Sequence, residues 1–209
     1  MNKIHTVIFD LDGTLSDSAY LTRSAFELIS PKQGLPIPSE EAIRRATGYA
    51  TPEFYYILFP NFPRELIYDT GVLVEQEEQR ILKLIRDKLL FDNCRELLLR
   101  LKEKGIRLCI ASTGEREHVY SILNETGITG FFDVIECARP DKKEMLCDII
   151  GDSDKNGCVM VGDMKKDYEA ARANGILSVG VLYGYCLREF SDFDFYIDAP
   201  LDLLKLLKI

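Results

Sequence analysis

The chain has 209 residues, a hydrophobic fraction of 46% and a formal net charge of −8, from 26 basic and 34 acidic side chains. This length and apolar content predict one globular domain, or one domain with a modest insertion, and exclude a disordered chain. The acidic balance, without any basic run, argues against a nucleic-acid partner or an anionic membrane, so binding of phosphate would require a local cation.

The cysteines show no C-x-x-C spacing, and several lie in apolar runs. We expect small core residues in a reducing cytosol, not a zinc site or a disulfide set. The six are Cys94, Cys109, Cys137, Cys147, Cys158 and Cys186. With no signal peptide and no apolar run that could span a bilayer, the sequence predicts a cytoplasmic protein. His5 and His118 are far apart in the sequence, and neither is expected to bind a metal.

The first predicted element is an apolar strand that ends in two acidic residues. Residues 7–9 are β-branched or aromatic, which predicts a strand buried on both faces. Asp10 and Asp12 should leave this strand on the same side, and Gly13 permits a sharp turn. A simple Asp-Gly turn is the alternative, but adjacent carboxylates are more readily explained by a cation, a shared proton or a reaction.

The next block, residues 17–91, is predicted to be an all-helical insertion with hinges near 16–18 and 90–93. Predicted helices cover 19–30, 39–47, 52–59 and 64–90, and the last carries an apolar stripe of Ile81, Leu82, Leu84, Ile85 and Leu89. The remaining segments, 1–16 and 92–209, are predicted to form one α/β core domain.

From Cys94 onward, helical runs alternate with apolar segments. Three helical runs end in Gly-Ile, at Gly105, Gly127 and Gly175, where a glycine can adopt the left-handed conformation. The predicted strands are 107–111, 132–136, 158–161 and 178–182. This alternation predicts a Rossmann-like parallel sheet between two helical layers, with ligands at the carboxyl ends of the strands.

Two polar stretches follow predicted strand ends. Ser112-Thr113-Gly114 precedes a helix that should begin at about Glu115, so it offers a hydroxyl and free N–H groups to an anion, although ordinary helix capping is the alternative. In residues 139–144 we expect Lys142, ahead of Lys143 and Arg139, to reach a phosphate. A solvated helix start is the alternative there.

A further acidic pair follows the strand predicted at 158–161. Asp163 and Asp167 are one helical turn apart, so both can face one point, although capping and the helix dipole would also explain them. Together with Asp10 and Asp12 they give hard oxygen donors at one sheet edge. Such a donor set suits Mg²⁺.

These stretches, taken in order, resemble the four motifs of the haloacid-dehalogenase-like superfamily of phosphohydrolases. Within it the chain is similar to the phosphoglycolate-phosphatase-like branch, whose pattern matches Gly162-Asp163, Ala170-Ala171, Gly175-Ile176, Val181 and Tyr183-Gly184. Relatives often carry Lys-Pro in the third motif, whereas this chain has Arg139-Pro140 and places a lysine at 142. The resemblance implies that residues 17–91 form a cap domain.

The resemblance also implies roles for the motif residues. Asp10 would attack phosphorus to form an aspartyl-phosphate, and Asp12 would protonate the leaving alcohol and later deprotonate water. Ser112, the Thr113 amide and Lys142 would hold the phosphoryl oxygens. Mg²⁺ would bind the Asp10 carboxylate, the Asp12 carbonyl and Asp163, with Asp167 ordering a bound water.

Substrate choice is expected to lie in the cap stretch 44–51. Gly48 would allow a turn there, and Arg44 or Arg45 would meet a carboxylate or second phosphate, unless both are surface residues. With Thr113 and Gly114 these complete the predicted substrate-binding set. The predicted partner is a small phosphorylated metabolite, and the protein is expected to be a monomer or homodimer.

Several other activities remain open at this point. They are a phosphosugar mutase, a 5'-nucleotidase or pyrophosphatase of the same fold, and a non-catalytic binding module. A mutase usually has a histidine soon after the first motif, and none lies between His5 and His118. Hydrolysis is therefore preferred over transfer.

Overall fold

A computed structural model describes residues 3–49, 51–185 and 192–208 of the chain. The strands are β1 (Thr6–Phe9), β2 (Arg107–Ser112), β3 (Val134–Cys137), β4 (Cys158–Gly162), β5 (Leu177–Val181) and β6 (Phe195–Ile197). The helices are α1 (Ser18–Ile29), α2 (Glu40–Ala46), α3 (Glu53–Leu58), α4 (Arg64–Ile85), α5 (Cys94–Glu103), α6 (Arg116–Glu125), α7 (Lys142–Ile150), α8 (Lys165–Asn174) and α9 (Asp202–Leu207).

The strands form one parallel sheet in the order β3-β2-β1-β4-β5-β6, so β1 lies near its centre. Phe9 pairs with Ile110 of β2 and Val161 of β4, which brings the carboxyl ends of these three strands together. Val7 packs in the larger apolar cluster with α5, α6 and α9, whereas Ile8 packs on the opposite face against α7 and α8. The predicted α/β class and the double helical cover of the sheet are confirmed.

The three Gly-Ile helix ends form as predicted. Gly105, Gly127 and Gly175 have φ values of +73°, +69° and +69°. The N–H of the isoleucine that follows each glycine donates to a carbonyl in the last turn of the preceding helix, and each isoleucine is buried. Each of these glycines therefore ends its helix.

The four helices that follow β1, α1 to α4, form an insertion with its own apolar cluster. Phe26, Ile43, Tyr55 and Val74 all belong to it. The two chain crossings to the sheet lie side by side, because Ser16 pairs in antiparallel fashion with Leu90. The predicted helical insertion after the first strand is confirmed.

The predicted helix 64–90 is wrong in its last turn. Regular helix ends at Ile85, Arg86 has a φ of +48°, and residues 86–89 form a 3-10 turn. Leu84 does not belong to the buried stripe, because it is 76% exposed. It lies two positions from the buried Leu82, which places it on the opposite side of the helix.

The other corrections are small and local. β3 begins at Val134 rather than at residue 132, α6 begins one residue after Glu115, and the short strand β6 was not predicted. Cys147 is exposed on α7 rather than buried. The other described cysteines are buried, and all five are free.

Cys186 lies outside the described residues. Within the described ranges, no helix combines the length and apolar character that a membrane span requires.

Candidate active site

Three aspartates meet where β1 and β4 end. Oxygen atoms of Asp10, Asp163 and Asp167 lie within 4.8 Å of one another, and all three residues are buried. The backbone N–H of Asp10 donates to Val161 at 2.9 Å, which continues the β1–β4 pairing past the end of the strand. Asp167 is held in the first turn of α8, because its Oδ2 accepts from the Met164 N–H at 2.9 Å.

Lys142 joins this cluster as the first residue of α7. It is only 4% exposed, and its Nζ lies 2.7 Å from Asp10 Oδ1 and 2.6 Å from Asp167 Oδ1. Asp141 caps α7 by accepting from the Lys143 N–H at 2.8 Å, which fixes the helix start behind Lys142. The alternatives lie elsewhere: Lys143 is exposed, and Arg139 pairs with acidic side chains outside the cluster.

The cluster carries more negative than positive charge. Burial raises the pKa of Asp10 to about 7, the Asp167 charge adds to the rise, and the Lys142 ammonium opposes it. Burial together with the charges of Asp10 and Asp167 also holds the pKa of Asp163 well above its usual range. The buried cluster of three carboxylates and one ammonium has a formal charge of −2. A divalent cation would offset this charge.

The donor set fits such a cation. Asp163 accepts from Thr14 Oγ1 at 3.0 Å and from the Tyr185 N–H at 3.1 Å, and no Lys or Arg of the described chain forms a salt bridge with it. Gly13 turns beside this carboxylate with a φ of +80°, and a Cβ there would lie 2.4 Å from Asp163 Oδ2. Hard carboxylate oxygens with a close backbone turn suit a small divalent ion.

Gly184 packs closely against the turn at Gly13. A Cβ on Gly184 would lie 1.9 Å from the carbonyl oxygen of Gly13. The next residue, Tyr185, donates from its hydroxyl to Asp17 at 2.9 Å and accepts from the Ala19 N–H at 2.7 Å. The segment after β5 therefore ties the first motif to the start of α1.

Asp12 lies on the other side of the turn, next to a histidine. His118 Nε2, from α6, is 3.0 Å from Asp12 Oδ1. Burial lowers the pKa of His118, but the carboxylates of Asp12, Glu78 and Glu75 outweigh it and raise that pKa to about 9. Burial works to raise the pKa of Asp12, but the His118 charge and hydrogen bond lower it overall. The pair therefore holds one proton at neutral pH.

A cavity of about 1050 Å³ connects these groups to the insertion. Asp10, Asp12, Ser112, Thr113, Gly114 and Lys142 line it on the sheet side. Ser112 is the last residue of β2, and its Oγ accepts from the Gly114 N–H at 3.1 Å. A phosphoryl group bound against Asp10 would therefore lie between hydroxyl, amide and ammonium donors.

The predicted cap residues divide into two groups. Arg45 and Gly48 line the cavity, and the Gly48 carbonyl accepts from Lys166 Nζ at 2.7 Å. Arg44 is not among the lining residues. Its guanidinium carbon lies 5.2 Å from the Tyr185 ring centre, and it pairs with Glu40 on its own helix. Ala50, within the same predicted stretch, lies outside the described residues.

The main residues that sequence reasoning missed are His118 and Tyr185. His118 is the third residue of α6, and only its distance to Asp12 identifies it as a site residue. Tyr185 could have been suspected from its position directly after Tyr183-Gly184.

Comparison with known proteins agrees with this geometry. The model of the haloacid dehalogenase-like hydrolase family matches residues 7–181, which include β1 to β5 but for the first residue of β1, the insertion and the acid cluster. The chain belongs to this family.

Two relatives of known sequence have different names. The tyrosine-protein kinase PtkA of Mycobacterium tuberculosis is 32% identical over 201 residues, covering 89% of this chain, and the chain spans 65% of the length of PtkA. The phosphoglycolate phosphatase of Synechococcus elongatus is 26% identical over 216 residues and is matched over 97% of this chain and 96% of its own.

Among solved structures, a predicted phosphoglycolate phosphatase from Haemophilus somnus superimposes with a TM-score of 0.86. It is 24% identical, and the match covers 99% of both chains. At this identity the similarity establishes the shared fold.

Proposed function

We propose that this protein is a Mg²⁺-dependent phosphatase that hydrolyses a small phosphomonoester through an aspartyl-phosphate on Asp10. The observation that carries the proposal is the contact of Lys142 with both Asp10 and Asp167, close to the buried carboxylate of Asp163. A purely structural cluster would not require two further buried carboxylates around one lysine, because buried charges are costly unless they are balanced.

The first chemical step uses the Asp10 carboxylate. One of its oxygens attacks phosphorus, the bond from phosphorus to the alcohol oxygen breaks, and the phosphoryl group is transferred to Asp10. Lys142 orients Asp10 and offsets the charge of the phosphoryl oxygens, together with Ser112 and the Thr113 amide. These groups act mainly by positioning and charge neutralisation.

The proton needed by the leaving alcohol comes from the Asp12–His118 pair. Because the two side chains share one proton at neutral pH, Asp12 can deliver it to the alcohol and take it back from the attacking water. Water then breaks the acyl-phosphate bond, which releases phosphate and regenerates Asp10.

Asp10, Asp163 and the carbonyl of Asp12 would hold the metal ion, with Asp167 as an outer acid. When bound, the ion supplies positive charge against the phosphate oxygens and lowers the pKa of Asp10. The protein contributes the turn at Gly13, which holds the oxygens of Asp10, Asp12 and Asp163 close together.

We also propose that residues 17–91 act as a cap domain over a core of 1–16 and 92–209. The separate apolar cluster of the insertion and the adjacent crossings at Ser16 and Leu90 support these boundaries. A cytoplasmic location and a monomeric or homodimeric state remain predictions from the sequence.

The test is turnover of p-nitrophenyl phosphate by the purified chain. We expect activity that requires Mg²⁺, that EDTA abolishes, and that Asp10→Asn reduces by at least about 10³-fold while the protein stays folded. Acid-quenched protein from a single turnover should carry a phosphate on the peptide that contains Asp10. A folded, Mg²⁺-loaded sample without turnover would favour a binding module.

A second candidate is phosphoryl transfer to another molecule, as in a mutase or a kinase. It is favoured by the name of PtkA and by His118, which reaches Asp12 from α6 although no histidine follows the first motif closely. Release of free phosphate in a 1:1 ratio to alcohol product would support hydrolysis. Phosphate recovered on an added acceptor would support transfer.

A further inference from the structure

The cap side of the active-site cavity is acidic. Glu75 and Glu78, three residues apart on α4, both line it. Glu78 is only 8% exposed and accepts a hydrogen bond from Thr22 Oγ1 of α1. Glu75 is more exposed and accepts from the Tyr55 hydroxyl at 3.3 Å. Two carboxylates from the insertion therefore face the same space as the phosphoryl site.

These carboxylates are short of partners. Within the described ranges, neither Glu75 nor Glu78 has a lysine or arginine at salt-bridge distance. Burial raises the pKa of both groups, although one hydrogen bond each and the charge of His118 oppose the rise. A ligand that donates hydrogen bonds or carries positive charge would stabilise their ionised forms.

The cations that line the cavity are already engaged. Arg45 pairs with Glu41 at 2.5 Å, Lys166 donates to Gly48, Lys165 pairs with Glu169 at 3.3 Å, and Arg116 lies over the Tyr120 ring. Lys142 and His118 are held by the aspartates of the first motif. Among the described lining residues, a carboxylate on the substrate would thus face Glu75 and Glu78, and each lining cation already has a contact of its own.

We propose that this cavity selects phosphate esters whose alcohol part carries hydroxyl or ammonium donors and no carboxylate or second phosphate, with Glu75 and Glu78 as the accepting groups. The proposal rests on the proposed phosphatase function for the phosphoryl end of the substrate. It replaces the sequence-based expectation that Arg44 or Arg45 meets an anionic group, because Arg44 lies outside the lining and Arg45 is paired.

A matched pair of esters tests the proposal. 2-Phosphoglycolate and O-phosphoethanolamine have similar size and differ in ending in a carboxylate or an ammonium group. We expect kcat/KM at pH 8 to be at least about 10-fold higher for O-phosphoethanolamine, with glycerol 1-phosphate between the two. A higher kcat/KM for 2-phosphoglycolate would overturn the proposal.

Variants then assign the preference to the two glutamates. Glu75→Gln/Glu78→Gln should lower the ratio of the two kcat/KM values at least about 10-fold, whatever happens to overall activity. Glu77→Gln is the control, because Glu77 pairs with Arg80 and does not line the cavity. If the double variant does not fold, Glu75→Gln alone should lower the ratio. An unchanged ratio in a folded variant would overturn the assignment.

Binding measurements distinguish the proposed substrate preference from the proposed phosphatase function. Calorimetry with Asp10→Asn and Mg²⁺ measures affinity for both esters without turnover. Tighter binding of O-phosphoethanolamine supports the cavity preference even if the wild type hydrolyses nothing, in which case the phosphatase function alone fails. Equal or tighter binding of 2-phosphoglycolate contradicts the preference even if p-nitrophenyl phosphate is hydrolysed.

Discussion

His118 Nε2 lies 3.0 Å from Asp12 Oδ1, although 106 residues separate them in the sequence. The parallel order of β1 and β2 creates this contact, because α6 starts directly after β2 ends next to the first motif. A protonated imidazole against a carboxylate supplies both a hydrogen bond and a charge. The pair is therefore suited to move a proton at the leaving oxygen.

His118→Asn should slow esters of poor leaving groups. Loss of the imidazolium removes the proton that Asp12 passes on, so kcat for an alkyl phosphate should fall about 10²-fold. The effect on p-nitrophenyl phosphate should be much smaller, because p-nitrophenolate leaves without protonation. His5→Gln is the control, since His5 contacts Asp154 at the other end of the sheet. Equal losses on both substrates would exclude a role in proton transfer.

Asp163→Asn should weaken Mg²⁺ binding without lowering the stability of the metal-free protein. Burial raises the pKa of Asp163, so its negative charge disfavours the folded state, and the variant should melt at or above the wild-type temperature in EDTA. Wild-type protein should gain about 2.7 kcal/mol with Mg²⁺ at 100 times its Kd, and the variant should lose most of that gain. Thermal melts with and without Mg²⁺ measure both, and a full Mg²⁺ response in the variant would remove Asp163 from the metal site.

Lys142→Met should destabilise the protein. It leaves Asp10 and Asp167 buried without their shared cation, which costs about 3–5 kcal/mol in urea unfolding without metal. The adjacent exposed Lys143→Met should change stability by less than about 0.5 kcal/mol. Similar losses in both variants would show that Lys142 is not a balancing charge.

Gly184→Ala should disrupt the first motif, because Gly184 packs against the backbone of Gly13. The new Cβ would lie 1.9 Å from the Gly13 oxygen, so the backbone around Asp163 must move, at a cost of about 1–3 kcal/mol. We expect kcat to fall at least about 10²-fold, since small displacements of reacting groups are costly. Gly130→Ala, where no atom lies within 4 Å of the new Cβ, should retain full activity. Activity retained by Gly184→Ala would mean that the turn tolerates displacement.

Asp133 should contribute stability that acid removes. Burial works to raise its pKa, but the Leu108 N–H at 2.9 Å and Lys102 at 3.0 Å lower it below the usual value. Because the folded pKa lies below the unfolded one, the stabilisation is present above about pH 4 and is lost as the pH falls through the folded pKa. The difference in melting temperature between wild type and Asp133→Asn should therefore shrink between pH 7 and pH 3. A difference that grows with acid would contradict this assignment.

The arrangement of the motifs could be predicted because strand ends in a parallel sheet converge. Apolar runs followed by acids placed Asp10 and Asp163 at one edge, and the Gly-Ile helix ends located the alternation of helices and strands. The short strand β6 could not be predicted, since its three residues follow an acidic stretch and pair only through tertiary contact with β5. Boundaries such as the end of α4 at Ile85 depend on local backbone conformation that propensity does not specify.

Contacts between elements that are distant in the sequence could not be predicted from it. Nothing near His118 distinguishes it from an ordinary helix residue, and the packing of α6 brings it to Asp12. Only its position after Tyr183-Gly184 singles out Tyr185, and the segment after β5 brings it to Asp163. The same holds for Glu78, whose position on an amphipathic helix suggests a surface residue although it is buried against Thr22.

The adjacent crossings at Ser16 and Leu90 have an evolutionary consequence. Because the chain leaves and re-enters the sheet at adjacent positions, the 73 residues between Ser16 and Leu90 can be replaced or lengthened without shifting the register of β1 against β2. A lineage built on this plan can acquire new substrates by remodelling the insertion while its reaction chemistry is inherited unchanged.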